Sequence, residues 1–211
     1  MAYEAQVAGL GDLNPFSSLL NPIKSLIRKR SKQTVAARRA EVAHFMRNNG
    51  QGLSLFNGGG SGSVASTIEE ECVTEVTVGS GCMDSHLFDY FSDNAYEPAM
   101  CFALPVTRRP EADIVTCQSG GFIASGEPGW EKCPVVFLPQ NLAPISHEGF
   151  GEVQTPLKGQ NASTLSIGDP VFFRPAKAGE PAERFAQYHL IRQNQIVDVV
   201  PTYRGLGKTF Y

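Results

Sequence analysis

Leu53-Ser54-Leu55-Phe56-Asn57-Gly58-Gly59-Gly60-Ser61-Gly62-Ser63 is the stretch on which the reading of this chain turns. Its short apolar run predicts a buried strand, and the run ends abruptly in glycines and serines. Glycine lets the backbone take positive φ and approach a ligand with no Cβ in the way. Successive amides in such a turn make a concave anion nest, to which serine hydroxyls add donors. One reading is therefore a phosphate cradle at the carboxyl end of a strand, where α/β folds hold ligands. The other is a flexible Gly/Ser linker between two domains. The loop has neither the lysine of a P-loop nor the spacing of a dinucleotide fingerprint, so its spacing alone leaves both readings open.

Upstream, helical periodicity runs from about Ile23 to Arg47, with Ile23, Leu26, Ile27, Val35, Val42, Phe45 and Met46 on or near one side. Asn21-Pro22 opens the helix, and Gly50 and Gly52 close it. Eight basic residues and one acid, Glu41, lie between Lys24 and Arg47. Arg28-Lys29-Arg30-Ser31-Lys32 reads as a solvated helix face, since no aromatic residues are interleaved as a nucleic-acid stacking surface needs. Helix, strand and glycine loop make one piece of a βα repeat, which cannot close a barrel by itself.

Downstream the texture changes. Thr74–Val78, Phe102–Val106, Ile114–Cys117 and Val135–Leu138 are strand-like runs separated by Gly, Pro and Asp turns. Leu165–Phe173 reads as a turn feeding another strand, and the segments flanking Gln193-Asn194-Gln195 make a hairpin. The chain thus divides into residues 1–68, a βα segment carrying the glycine loop, and residues 69–211, an antiparallel β-domain of Greek-key sandwich or barrel type.

The totals exclude several classes. A length of 211 residues with 42% hydrophobic and 18% charged residues is that of a globular protein able to bury a core. A net charge of −3 gives no general case for nucleic acid or an acidic membrane as partner. Cys72, Cys82, Cys101, Cys117 and Cys133 are odd in number and widely spaced, which predicts reduced thiols in a cytoplasmic protein.

In order and spacing, several of these runs resemble the pyridoxal-phosphate-dependent D-threonine aldolase, D-serine dehydratase and amino acid deaminase group, whose fold is alanine-racemase-like. The residues that carry the resemblance are Phe56–Ser63, Thr74–Gly81, Phe102–Val106 with Arg108-Arg109-Pro110, Gly151–Leu157, and Val199–Gly205. The resemblance implies a partial TIM-like βα barrel segment followed by the β-domain, equivalent to the C-terminal half of such an enzyme. It assigns the cofactor phosphate to Asn57, Gly58, Gly59, Gly60, Ser61, Gly62 and Ser63, with Gly60 and Ser61 as the direct donors. For Tyr3 it leaves two places open, beside the cofactor ring or packed at a strand end.

The same resemblance implies a small D- or hydroxy-amino acid as substrate, cleaved by aldol scission or by elimination with loss of ammonia, in a homodimer. It names no catalytic residue here. The Schiff-base lysine of the group belongs to a barrel portion that Lys24, Lys29, Lys32, Lys132, Lys158, Lys177 and Lys208 do not occupy, so Met1 is expected to be an internal methionine and the chain a fragment, inactive alone. Metal-dependent members bind a divalent ion through a His and a Cys or Asp. The aligned places fall near Lys177 and Gly179, neither a credible ligand, so no metal is expected. His189 reads as a sheet histidine, Cys82/Asp84/His86 as a weak metal spacing, and His147, Glu148, Glu152 and Arg204 as loop residues. A non-catalytic β-domain that binds a phosphate-bearing ligand or a partner chain is the other function class these residues allow.

Overall fold

The computed structural model describes residues 11–14, 17–94 and 96–208. The chain forms two compact units, residues 1–99 and 100–211. The sequence boundary at 68/69 falls inside the first of them, because the chain beyond it returns to pair with the glycine-loop strand.

In the first unit, α1 (Asn21–Asn48) starts with a proline in its first turn and ends before Gly50, which takes φ +72°. The helical period is the expected one, but the buried side is turned away from most of the apolar stripe, with only Val35 and Met46 of it half-buried. Arg28, Arg39 and Ala43 are buried, while Ile23 is 56% and Phe45 65% exposed. The basic run is therefore not a solvated face throughout. A guanidinium tolerates burial when carboxylates meet its fork of donors, and here Arg39 pairs with Glu70 at 2.7 Å while Arg28 pairs with Asp12 and Asp93.

β1 (Asn57–Gly58) is followed by the glycine loop and the short α2 (Val64–Thr67), and then by β2 (Glu75–Val76), which pairs with β1 in parallel. The expected buried strand over the apolar run shrinks to these two residues, and Leu55 is 61% exposed. Among the described residues β1 is paired on one side only, by β2, and the run before Asn57 lies outside that ladder. Thr74–Val78 shortens in the same way.

The second unit is built on β3 (Phe102–Glu111), β4 (Ile114–Gln118), β5 (Val135–Leu138), β6 (Ala143–Pro144), β7 (Gln154–Lys158) and β8 (Pro170–Arg174). These make one antiparallel six-stranded sheet in the order β5-β8-β3-β4-β7-β6. It is the β-rich domain that the short strand-like runs predict. Phe102, Leu104 and Val106 point inward at every second residue of β3, as the two-residue period of a strand requires. They meet Val115, Cys117, Leu157, Val171 and Phe173 in the core. Phe102 stacks on Phe173 with centroids 5.3 Å apart. After α3 (Gly179–Arg184), β9 (Gln187–Arg192) and β10 (Gln195–Pro201) form the expected hairpin, with Gln193 and Asn194 both at positive φ in its turn. No helix among the described residues is long and apolar enough to cross a membrane.

Candidate functional site

β1 and β2 run side by side in the same direction, so the turns that follow them meet at one end. Gly59 takes φ +91°, a conformation that L side chains rarely adopt. A Cβ on Gly60 would meet nothing within 4 Å, so this position faces open space. Among the described residues, the amides of Gly59, Gly60, Ser61 and Gly62 donate to no acceptor. Four unspent amides in a turn with one positive φ have the chemistry of an anion nest.

The other residues of the loop are occupied. The Asn57 side chain bridges to β2, with Nδ2 donating to Glu75 Oε1 at 2.5 Å and to Thr77 Oγ1 at 2.8 Å. Gly58 backs onto Arg39, whose guanidinium carbon would lie 3.1 Å from a Cβ there. Ser63 is turned inward. Its amide donates to the Gly60 carbonyl at 2.9 Å, and its own carbonyl accepts from the Thr67 amide at the same distance. The Ser61 Oγ accepts from the amides of Gly79 (3.2 Å) and Gly81 (3.0 Å), which stitches the turn after β2 to the glycine loop. Tyr3 lies outside the described residues.

Behind the loop, Gly62 lies against Phe91, and a Cβ would fall 2.3 Å from its ring. The Gly62 carbonyl accepts from Arg28 Nη2 at 2.5 Å, and the guanidinium carbon stands 4.9 Å from the centre of the Phe91 ring. Arg28 also holds Asp93 at 2.8 Å and Asp12 at 3.3 Å, and Lys32 reaches Asp93 at 2.6 Å. Burial pushes the Asp12 carboxyl up, but the Ser25 hydroxyl, the Ser92 amide and hydroxyl, and Arg28 outweigh it and bring it down to about 2. Asp93 is likewise lowered, with burial opposed by Lys32 and Arg28. Each cation is matched by a carboxylate, so the field at the loop comes chiefly from backbone dipoles. A cavity of about 190 Å³ opens beside it, lined by Ser61, Gly62, Ile68, Phe88, Phe91 and Tyr96 among others.

Sequence reasoning missed the buried charge network and the role of the Gly79–Gly81 turn. The spacing of Arg28 and Lys32, one helical turn apart, was the signal for a shared carboxylate. The second pair of glycines behind a strand-like run was the signal for the turn.

Metal chemistry finds little here. Among the described residues no group of three His, Cys, Asp or Glu side chains could hold an ion. Lys177 Nζ donates to the Ser125 carbonyl (2.9 Å) and hydroxyl (3.2 Å). Asp84 accepts from Asn94 Nδ2 at 2.8 Å, His86 packs edge-on against Tyr90, and Cys82 is exposed. His189 lies in β9, and His147, Glu148, Glu152 and Arg204 are exposed. Burial raises the Cys117 thiol to about 11, which leaves it inert.

No protein-family model matches the sequence, nor does any curated protein. Solved structures do match, and the fold they share is that of the aldolase, dehydratase and alanine-racemase-like group that the sequence resembles. D-threonine aldolase from Filomicrobium marinum superimposes with a TM-score of 0.73 at 18% identity, over 85% of this chain and 49% of that one. D-threo-3-hydroxyaspartate dehydratase from Delftia sp. HT23 gives 0.62 at 16% identity, over 82% of this chain and 51% of that one. An alanine racemase-like protein from Idiomarina loihiensis gives 0.54 at 13%, over 76% and 48%. At these identities the likeness is one of fold. The chain spans about half the length of the structures it matches.

Proposed function

We propose that this chain supplies the phosphate-gripping loop and the β-domain of a pyridoxal-phosphate-dependent lyase or deaminase acting on a D- or hydroxy-amino acid. The observation that carries the reading is the set of four unspent amides around Gly60, at the end of two parallel strands and beside a cavity. The shared fold with an aldolase and a dehydratase supports it. A phosphate dianion fits this donor set, because it accepts several N–H bonds at once and the balanced charges nearby neither repel nor saturate it.

When bound, pyridoxal phosphate would supply the electron sink for C–C cleavage or elimination. The residues of this chain do the binding. Gly59–Gly62 amides hold the anion, Arg28 fixes the Gly62 carbonyl from behind, and Phe91 closes the back of the loop against water. The three solved neighbours are about twice as long, and the lysine that carries the cofactor would come from the other half of such an enzyme.

The test is a titration with pyridoxal phosphate followed by absorbance, with inorganic phosphate as competitor. Saturable binding that phosphate displaces is expected, together with its loss in Gly60→Asp, whose carboxylate occupies the nest while the open space tolerates the side chain. Ammonia or aldehyde release from D-serine and D-threonine is expected to be negligible. Unimpaired binding by Gly60→Asp refutes the cradle, and clear turnover refutes the division of labour between halves.

A further inference from the structure

The hydroxyl of Ser61 does something the phosphate reading does not require. A hydroxyl has two lone pairs and one proton. Here both lone pairs are taken, by the Gly79 amide at 3.2 Å and the Gly81 amide at 3.0 Å. The proton has one tetrahedral direction left, away from both amides, and it donates to no described residue. Ser61 borders the cavity beside the loop. The contact is also close enough to dictate its partner. A Cβ at position 81 would fall 2.8 Å from the Ser61 Cβ and 3.0 Å from its Oγ, so the approach needs glycine there.

We infer that Ser61 is a positioning residue that locks the Gly79–Gly81 turn onto the glycine loop and, with both lone pairs filled, holds its proton ready for the anion in the cradle. This rests on the phosphate reading for the identity of the anion, and on geometry alone for the lock. Two N–H donors polarise the O–H bond and strengthen the bond it gives in turn. The orientation is fixed before the ligand arrives, which spares the entropy of ordering a free rotor.

The experiment compares wild type, Ser61→Ala and Gly81→Ala by amide hydrogen exchange and by titration with inorganic phosphate and with pyridoxal phosphate. Ser61→Ala removes the acceptor. Gly81→Ala pushes the turn off while leaving the hydroxyl in place, so it tests the lock from the other side, and circular dichroism checks that each variant folds. The expected result is exchange at Gly79, in both variants, and at Gly81, in Ser61→Ala, faster by at least about tenfold. Phosphate affinity should fall about ten- to a hundredfold in Ser61→Ala, the range for losing one hydrogen bond to a charged group. Unchanged exchange at Gly79 and Gly81 in Ser61→Ala overturns the lock. Unchanged affinity in Ser61→Ala overturns the donor role. A wild-type protein that binds neither probe overturns the phosphate reading and the donor role with it, while the exchange data still decide the lock.

Discussion

Arg28→Met tests the buried charge network of the first unit. The side chain is only 4% exposed. Its guanidinium holds Asp93 at 2.8 Å, Asp12 at 3.3 Å and the Gly62 carbonyl at 2.5 Å, and lies over the Phe91 ring. Methionine keeps most of the apolar stem and removes the charge. Asp12, itself 2% exposed, then keeps its hydroxyl and amide donors but loses its cation. Removing one partner of a buried pair costs about 3–5 kcal/mol, because the other is left uncompensated. That is a large share of the roughly 5–15 kcal/mol that a domain has in hand. The double variant Asp12→Asn, Arg28→Met should regain part of the loss, since the stranded carboxylate is gone, whereas Asp93 still has Lys32 at 2.6 Å. Urea unfolding read by the far-ultraviolet helical signal is the assay, because α1 has 28 residues against 4 and 6 in α2 and α3. Trp130 fluorescence follows the second unit separately. A loss below about 1 kcal/mol in Arg28→Met would place the pair among exposed ion pairs and refute the reasoning. So would a double variant no more stable than the single one.

Three further outcomes follow from the same geometry. The Asp12 carboxyl titrates near 2 instead of 3.8, so its contribution of about 2 kcal/mol is present above the unfolded value and disappears as pH falls from about 4 towards 2. Urea midpoints of the helical signal should drop over that window, and Asp12→Asn should flatten the drop. Phe173→Ala empties a fully buried place stacked on Phe102 and met edge-on by Phe150 and should cost about 3–5 kcal/mol in the transition seen by Trp130; a cost under about 1 kcal/mol would mean that the sheet core collapses around the gap. Excess zinc or manganese should leave the melting temperature within about 1 °C, since an ammonium at 177 repels a cation and a ligand that bound the native state would raise it; a rise of several degrees would reveal a site.

Local pattern carried much of the architecture. Short β-branched and aromatic runs bounded by Gly, Pro and Asp turns placed β3, β4, β5 and β8, because such residues fit a pleated, half-buried surface and the turn residues interrupt it. The 3.6-residue period and the Asn21-Pro22 and Gly50 punctuation placed α1 almost to its ends. The glycine run announced a turn, with Gly59 at positive φ, because a backbone conformation open chiefly to glycine is a property of the single residue.

Tertiary structure alone decided which side of α1 is buried. Apolar residues at helical spacing define a stripe but name no partner, and the partners that arrived were Asp12, Glu70 and Asp93, which lie 16, 31 and 65 residues from the arginines they meet. They drew Arg28 and Arg39 inward and left Ile23 and Phe45 outside. The boundary between units and the fate of Ser61 were hidden for the same reason: both follow from the parallel pairing of Asn57–Gly58 with Glu75–Val76, a contact between two-residue segments too short to have any pattern of their own.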